Sequence, residues 1–129
     1  EEGKFGANRV KLLEGKKGLI VGVANERSLA WGIAQSCAAH GAQLAFTYLN
    51  EALERRVRPL ASEVGSEIVL RCDVQNDAEI KECFAELKKS WGELDFLIHS
   101  VAYASSDDLK DRFVNTSREG FKLAMDVSA

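Results

Sequence analysis

Residues 17–41, KGLIVGVANERSLAWGIAQSCAAHG, decide the fold of this chain. They open with an unbroken apolar run, KGLIVG (residues 17–22), which is typical of a strand buried on both faces of a parallel sheet. The loop VANERS then leads to apolar residues at helical spacing, which place Leu29, Ile33, Cys37 and Ala38 on one face. Ser28 is a natural N-cap for this helix, and Gly41 fits a left-handed C-cap position. The stretch therefore predicts one complete βα unit.

The alternation of strand and helix continues beyond this unit. Further strands are predicted at residues 42–48, 67–72 and 94–99. One intervening helix begins near Asn50, and Pro59 is expected to kink or split it. The other begins at Asn76, which has the spacing of a capping box with Glu79. Strands that alternate with helices predict the α/β class, here a Rossmann-like doubly wound parallel sheet.

The predicted sheet is incomplete, with four of about seven strands accounted for. A doubly wound dinucleotide-binding domain has the strand order 3-2-1-4-5-6, so strand four would be left as an open apolar edge. Residues 12–129 are therefore expected to form the N-terminal part of a single dinucleotide-binding Rossmann domain of a longer polypeptide. Residues 1–11, EEGKFGANRVK, are expected to be a polar tail.

The composition is that of one soluble globular domain. Of the 129 residues, 46% are hydrophobic and 29% are charged, and the formal net charge is -3. Nucleic acid is not an expected partner, because no cluster of positive charge is available for a phosphate backbone. No stretch approaches the roughly 20 apolar residues that cross a bilayer, and the N-terminus lacks the apolar core of a signal peptide. We therefore expect no membrane insertion.

The cysteines and histidines show neither a metal-binding nor a redox pattern. Cys37, Cys72 and Cys83 are odd in number, lack CxxC spacing and lie in apolar runs. They are therefore expected to be buried and reduced, as in a cytoplasmic protein. His40 and His99 are far apart and without ligand spacing, so no metal site is predicted.

The loop after the first strand is the first candidate for a cofactor site. A helix N-terminus offers unpaired amides and partial positive charge to a phosphate. Gly22 permits a tight turn at the end of the strand, and Ser28 adds a hydroxyl at the helix entrance. The loop departs from GxGxxG, but it lies beyond the carboxyl end of a strand at the switch point, where open α/β sheets bind ligands. We therefore expect it to bind the pyrophosphate of a dinucleotide.

The end of the second strand is the candidate for the adenosine ribose. An acidic residue usually binds the ribose there, and an arginine accepts a 2'-phosphate. The chain has Leu49, Asn50 and Glu51 at this point, of which Asn50 or Glu51 could serve the ribose. Arg55 and Arg56 come a turn later and are expected on a solvated helix face. The pattern favours NADH over NADPH.

The third and fourth strands also end in candidate residues. Asp73 could accept a hydrogen bond from the adenine amino group and the Val74 amide could donate one, although a turn at a helix entrance is the alternative role of this aspartate. The small residues 100–102 would let a nicotinamide ribose approach closely. The serine among them is not expected to belong to a nucleophilic triad, since Asp95 and His99 share one strand and no elbow motif surrounds it.

Several blocks of this sequence together resemble one family. They are GLIVGVANERSLAWGIA, GAQLAFTY, VRPLA, CDV, LDFLIHSVAYA and TSREGFKLAMDVS, and the resemblance covers nearly the whole chain from Leu12 to Ala129. The combination resembles bacterial NADH-dependent enoyl-[acyl-carrier-protein] reductase, a divergent branch of the short-chain dehydrogenase/reductases. No single block would be specific, whereas GVAxxxSxAxG, CDV and HSxAxA together are.

The resemblance implies a set of site residues. The cofactor-binding positions are Gly22, Ser28, Leu29, Leu49, Asp73, Val74, Ser100, Val101 and Ala102. The positions beside the acyl substrate are Tyr103 and Ala104. Many family members have glutamine in place of Leu49, where its side chain touches the adenosine ribose, so this contact is expected to fall to the backbone or to Asn50.

The resemblance also implies a reaction, in which hydride from NADH reduces the trans-2 double bond of an enoyl chain carried by acyl carrier protein. It further implies that the whole protein is a homotetramer. The family's catalytic tyrosine and lysine, spaced Tyr-x6-Lys, are expected beyond the residues given, and no catalytic residue is assigned within this chain. Two alternatives stay open. One is another short-chain reductase acting on a carbonyl, whose TGxxxGxG and NNAG blocks are missing here, and the other is an inactive nucleotide-binding fragment.

Overall fold

The computed structural model describes residues 12–99, in which four strands alternate with three helices. In chain order the elements are β1 (Lys17–Val21), α1 (Leu29–Ala39), β2 (Gln43–Tyr48), α2 (Glu51–Glu63), β3 (Ile68–Arg71), α3 (Asp77–Trp91) and β4 (Phe96–His99). Each strand and helix predicted within this range is present. The strand ends differ from the predictions by no more than two residues.

The strands form one parallel sheet in the order β3-β2-β1-β4. Leu19 at the centre of β1 is paired with Ala45 of β2 on one side and with Leu97 of β4 on the other. Both neighbours run parallel to β1, which is possible because a helix makes each crossover. The predicted α/β class and the Rossmann-like order of the first four strands are therefore confirmed.

Helices cover both faces of the sheet, which explains the unbroken apolar run of β1. Ile20 and Phe46 pack against α1 and α2 on one face, whereas Leu19 and Leu97 pack against α3 on the other. Because α1 and α2 lie on one face and α3 on the other, the winding of the chain reverses between β1 and β4. Such a reversal is the switch point at which open α/β sheets bind ligands.

The buried face of α1 departs from the predicted one at Leu29, whereas Ile33, Cys37 and Ala38 are partly buried against the core. Leu29, which the helical spacing assigns to the buried face, is 53% exposed, whereas Ala30, Trp31 and Ala34 are buried. The centroid of the Trp31 ring lies 6.2 Å from that of Phe46. Because the indole has the largest apolar area to bury, its docking against β2 sets the rotation of the helix and leaves Leu29 facing solvent.

Pro59 does not split α2, so the predicted break in the helix is wrong. The helix is continuous over Glu51–Glu63 with Pro59 inside it. Val57, Leu60 and Ala61, on both sides of the proline, are buried against the sheet. This packing holds the two halves of the helix together and offsets the hydrogen bond that proline removes from a helix interior.

Candidate functional site

The carboxyl edge of the sheet brings together the predicted cofactor residues of the described range. Gly22 follows β1, Leu49 follows β2, and Asp73 comes shortly after β3. Since the strands are parallel neighbours, their carboxyl ends meet at one edge of the sheet. Val21 at the end of β1 is paired in register with His99, the last residue of β4. The predicted positions thus line one edge, beside the switch point.

Five predicted site residues lie outside the described residues. They are Ser100, Val101, Ala102, Tyr103 and Ala104, which follow β4 in sequence. The described part of the chain ends at His99, whose side chain is buried at 3% exposure. The roles of these five residues therefore stay predictions.

The loop between β1 and α1 is shaped by Gly22 and Asn25. Gly22 has a φ of 106°, a region that residues with a Cβ rarely adopt. The Oδ1 of Asn25 accepts a hydrogen bond from the Arg27 amide at 2.8 Å. The Asn25 carbonyl accepts one from the Ser28 amide at 3.1 Å and another from Ser28 Oγ at 2.8 Å. These bonds fold the loop back on itself into a defined turn.

Ser28 begins α1 without using its side chain as a cap. It is the N-cap residue, as predicted, but its hydroxyl donates to the Asn25 carbonyl and accepts nothing from the helix. Within residues 12–99, no group accepts a hydrogen bond from the amides of Leu29 and Ala30. Two N–H groups at the positive end of the helix dipole are therefore available to an anion.

The chain after β2 presents an apolar side chain and a helix cap. Leu49 is 36% exposed, and Leu29 at the start of α1 is also exposed at this edge. Asn50 is the N-cap of α2, as expected, and its Oδ1 accepts from the Leu53 amide at 3.0 Å. The cap uses the acceptor of Asn50 and leaves its Nδ2 to serve a ribose. Glu51, the first residue of α2, is exposed.

Asp73 is held by three hydrogen bonds in the turn between β3 and α3. Its amide donates to Glu79 Oε1 at 2.8 Å, and its carbonyl accepts from the Asn76 amide at 2.8 Å. Its Oδ1 accepts from the Gln75 amide at 2.9 Å. Over the described range, no group donates to Asp73 Oδ2 or accepts from the Val74 amide. An acceptor and a donor on adjacent residues therefore lie at the carboxyl edge.

The predicted capping box at the start of α3 is only half formed. Asn76 Oδ1 accepts from the amides of Ala78 and Glu79 at 3.0 and 3.3 Å, as a cap does. Glu79, however, does not bind the Asn76 amide, because that amide donates to the Asp73 carbonyl. The Glu79 carboxylate reaches further back to the Asp73 amide, and its Oε1 lies 3.8 Å from Arg71 Nε.

Asn25 and Glu79 are the residues at this edge that sequence reasoning did not identify as shaping the site. Asn25 had a usable signal, since asparagine often binds the amide two residues further along a loop. Glu79 had none, because capping-box spacing predicts a bond to the Asn76 amide. Which amide a glutamate reaches depends on the shape of the preceding turn.

The cysteines lie in or near the core, and no disulfide links them. Cys72 and Cys83 are buried, whereas Cys37 is only partly buried, so the predicted burial is confirmed for two of the three. The Cys83 side chain is hydrogen-bonded to Cys72, and this contact together with burial raises the pKa of the Cys83 thiol. A thiol that stays protonated is a poor nucleophile.

We expect thiol reagents to distinguish these cysteines in the folded protein. Iodoacetamide near neutral pH should alkylate Cys37 at least about tenfold faster than Cys83, because the thiolate is the reacting species and Cys83 stays protonated. Peptide mass spectrometry over a time course gives both rates. The denatured protein is the control, in which the two rates should converge. Equal rates in the folded protein would contradict the burial and hydrogen bonding of Cys83.

Neither a metal site nor a membrane span is found in the described part of the chain. Among residues 12–99, no group of three or more His, Cys, Asp or Glu side chains could hold a metal ion. None of the helices described there is long and apolar enough to cross a bilayer. Asp95 has a structural contact, since its Oδ2 accepts from the Lys17 amide at 2.9 Å and ties the start of β4 to β1.

A groove of about 310 Å³ lies at the opposite, amino edge of the sheet. It is lined by residues that include Gln43 at the start of β2, Ser66 before β3 and Trp91 at the end of α3. The Ser66 hydroxyl already donates to the Leu44 carbonyl at 2.6 Å. No predicted cofactor residue lines this groove, so the carboxyl edge, with its available amides and carboxylate, is the candidate cofactor site.

The sequence is similar to proteins of one family. A family model described as enoyl-(acyl carrier protein) reductase matches residues 22–129. The NADH-type enoyl-[acyl-carrier-protein] reductase of Aquifex aeolicus is 55% identical over 117 residues, which are 91% of this chain and 43% of that protein. The enzyme of the same name from Rickettsia felis is 49% identical over 117 residues, which are 91% of this chain and 45% of that protein. The chain thus spans less than half the length of these relatives.

Solved structures agree with the sequence match. The crystal structure of the NADH enoyl-[acyl-carrier-protein] reductase from Aquifex aeolicus matches with a TM-score of 0.79 and 39% identity, over 86% of this chain and 52% of that one. The Anaplasma phagocytophilum reductase, solved in complex with NAD, matches with a TM-score of 0.71 and 46% identity, over 87% of this chain and 43% of that one. With a shared fold and closely similar sequences, this chain belongs to the enoyl-[acyl-carrier-protein] reductase family of the short-chain dehydrogenase/reductases.

Proposed function

We propose that the polypeptide containing this chain reduces the trans-2 double bond of an enoyl group on acyl carrier protein, with NADH as the hydride donor. The observation that carries the proposal is the carboxyl edge of the sheet. In this chain, which belongs to the reductase family, the turn at Gly22, the Leu29 amide and the Asp73 carboxylate there can bind a dinucleotide. The relatives are more than twice as long as the matched segment. The activity is therefore proposed for the whole polypeptide.

The loop after β1 fits the pyrophosphate of the cofactor. The amides of Leu29 and Ala30 lie at the positive end of α1, and Gly22 has no side chain to keep a phosphate from the backbone. Ser28 has a single hydroxyl proton, which it donates to the Asn25 carbonyl at 2.8 Å. A hydrogen bond from Ser28 to a phosphate therefore requires that proton to change partner.

The turn after β3 fits the edge of adenine. Adenine presents an amino donor beside a ring-nitrogen acceptor, and Asp73 and Val74 offer the complementary pair. Asp73 Oδ2 would accept from the amino group, and the Val74 amide would donate to the ring nitrogen. Leu49, partly exposed at the end of the neighbouring strand, would add apolar contact in place of a polar one.

The same edge favours NADH over NADPH. A 2'-phosphate needs a basic partner near the end of β2. The chain there has the uncharged Leu49, then Asn50 with its acceptor used in a cap, then Glu51, which would repel a phosphate. Arg55 and Arg56 lie further along α2 and are exposed. We propose ribose contacts from the backbone or from Asn50 Nδ2.

The nicotinamide and substrate end of the site is proposed from the family resemblance. Residues 100–102 would lie beside the nicotinamide ribose, and Tyr103 and Ala104 beside the acyl chain. NADH, when bound, supplies the hydride, and negative charge that develops on the thioester oxygen needs a hydrogen-bond donor. The tyrosine and lysine with these tasks in the family are expected beyond the residues given. Acyl carrier protein is the proposed partner, and a cytoplasmic homotetramer is the proposed form.

Oxidation of NADH tests the proposed reaction. The full-length polypeptide that carries this chain should consume NADH with crotonoyl thioester and leave acetoacetyl thioester unreduced. The 129-residue chain alone is the control and should oxidise no NADH, because it lacks the tyrosine and lysine of the family. Reduction of the ketone alone would favour a carbonyl reductase. Absence of NADH oxidation with either substrate would contradict the proposal and favour an inactive nucleotide-binding protein.

A further inference from the structure

Glu79 links the first turn of α3 to the chain that leaves β3. Its Oε1 accepts a hydrogen bond from the Asp73 amide at 2.8 Å and lies 3.8 Å from Arg71 Nε. The Glu79 side chain is 25% exposed, so this charge-assisted hydrogen bond is partly shielded from water. The bond runs from a helix to the residue proposed to bind adenine.

The Asp73 amide donates no hydrogen bond to a neighbouring strand of the described sheet. The preceding amide, that of Cys72, donates to the Tyr48 carbonyl of β2 at 2.9 Å. Because successive amides of an extended chain point to opposite sides, the Asp73 amide points away from β2. On that side of β3 no further strand of the described sheet follows. Glu79 supplies the acceptor there, from a helix and not from a strand.

The other bonds to Asp73 come from its own turn. The amides of Gln75 and Asn76 bind its Oδ1 and its carbonyl, and both lie within three residues of it. Glu79, by contrast, is part of a helix of 15 residues, and the next residue, Ile80, is fully buried at 0% exposure. Glu79 is therefore the side chain that holds the Asp73 amide to α3, beside the bond from the N-cap residue Asn76 to the Asp73 carbonyl.

We infer that Glu79 is a positioning residue for adenine recognition: by holding the Asp73 amide, it orients Asp73 Oδ2 and the Val74 amide toward the cofactor. This role rests on the proposed function, because it requires adenine to bind at the turn after β3. Glu79 acts through Asp73 and not on the cofactor directly. Its effect is therefore expected in the affinity for NADH and not in the rate of hydride transfer.

Three variants of the full-length polypeptide separate this role from other effects. Glu79→Ala removes the acceptor, Glu79→Gln keeps an acceptor oxygen of the same reach, and Glu82→Ala removes a carboxylate from the exposed face of the same helix. Glu79→Ala should raise the dissociation constant for NADH about tenfold, and the other two should leave it within about threefold. At saturating NADH, the rate with crotonoyl thioester should stay within about twofold of the parent for all three.

The hypoxanthine analogue of NADH, in which a carbonyl replaces the adenine amino group, probes the contact itself. Hypoxanthine offers Asp73 Oδ2 no amino donor, and its adjacent ring nitrogen carries a proton and cannot accept from the Val74 amide, so the parent protein should bind the analogue at least about tenfold more weakly than NADH. Glu79→Ala should bind both cofactors with similar affinity, because the discriminating acceptor is no longer oriented. A loss of stability alone would weaken the binding of both cofactors equally and leave the ratio of their dissociation constants unchanged.

The outcomes separate this role from the proposed function. If Glu79→Ala discriminates between the two bases as strongly as the parent, the role of Glu79 is overturned and the cofactor site stands. If the parent binds NADH and the analogue equally, the adenine contacts of Asp73 and Val74 are overturned together with the role of Glu79. If the parent does not bind NADH, the proposed function itself is overturned.

Discussion

A Gly22→Val variant is expected to bind NADH at least about a hundredfold more weakly than the parent protein. Gly22 follows β1 and has a φ of 106°, a region in which a Cβ costs about 1–2 kcal/mol and a branched side chain costs more. The valine side chain would also stand where the pyrophosphate approaches the loop. Isothermal titration of the full-length polypeptide with NADH measures the effect.

Gly65→Val is the matched control for this change. Gly65 also has a positive φ, of 77°, and a Cβ built there meets no atom within 4 Å. It follows α2 at the opposite edge of the sheet. Valine there should lower the free energy of unfolding through backbone strain and leave the NADH affinity within about twofold. Equal NADH affinities of the two variants would contradict the placement of the pyrophosphate at Gly22.

A Gly18→Ala variant is expected to lose about 3 kcal/mol of the free energy of unfolding. Gly18 is buried in β1, in register with Phe96 of β4, and a Cβ built on it would overlap the Phe96 ring. The ring has little room to move, since Phe96 is 8% exposed and packs with α1 and α2. Denaturant unfolding followed by circular dichroism measures the loss.

Two further variants test the cause of this loss. Gly32 lies in α1, and a Cβ built there meets no atom within 4 Å, so Gly32→Ala should stabilise the protein by about 0.5–1 kcal/mol. Gly18→Ala combined with Phe96→Leu should cost at least about 1 kcal/mol less than the sum of the two single changes, because leucine makes room for the new methyl group. Additive losses would show that the Phe96 ring is not the obstacle.

The order of strands and helices could be predicted because its signals are local. The apolar run of residues 17–22 forms β1, and Ser28, Asn50 and Asn76 begin the three helices as expected. These signals act within a few residues of the sequence. The order of the strands then follows from right-handed crossovers and the doubly wound pattern.

The exposure of Leu29 could not be predicted, because it depends on residues that are distant in the sequence. Helical spacing groups Leu29 with the buried residues, but the docking of Trp31 on Phe46 turns it toward solvent. Pro59 likewise stays inside a continuous α2, where packing against the sheet outweighs a local helix-breaking preference. In both cases packing against the sheet outweighs the local sequence preference.

The candidate site could be predicted in outline. Parallel topology alone brings Gly22, Leu49 and Asp73 to one edge of the sheet, as the sequence indicates. The hydrogen bonds that define the chemistry of this edge depend on three-dimensional geometry. The cap made by Asn50 and the reach of Glu79 to the Asp73 amide are both of this kind.

Hydrogen–deuterium exchange with and without NADH tests most directly whether the carboxyl edge binds the cofactor. We predict that NADH slows exchange of the amides of Leu29, Ala30 and Val74, which have no acceptor within residues 12–99. Amides of residues 64–68, beside the groove at the opposite edge, should exchange at an unchanged rate. Protection confined to residues 64–68, with no change at the carboxyl edge, would contradict the proposed cofactor site.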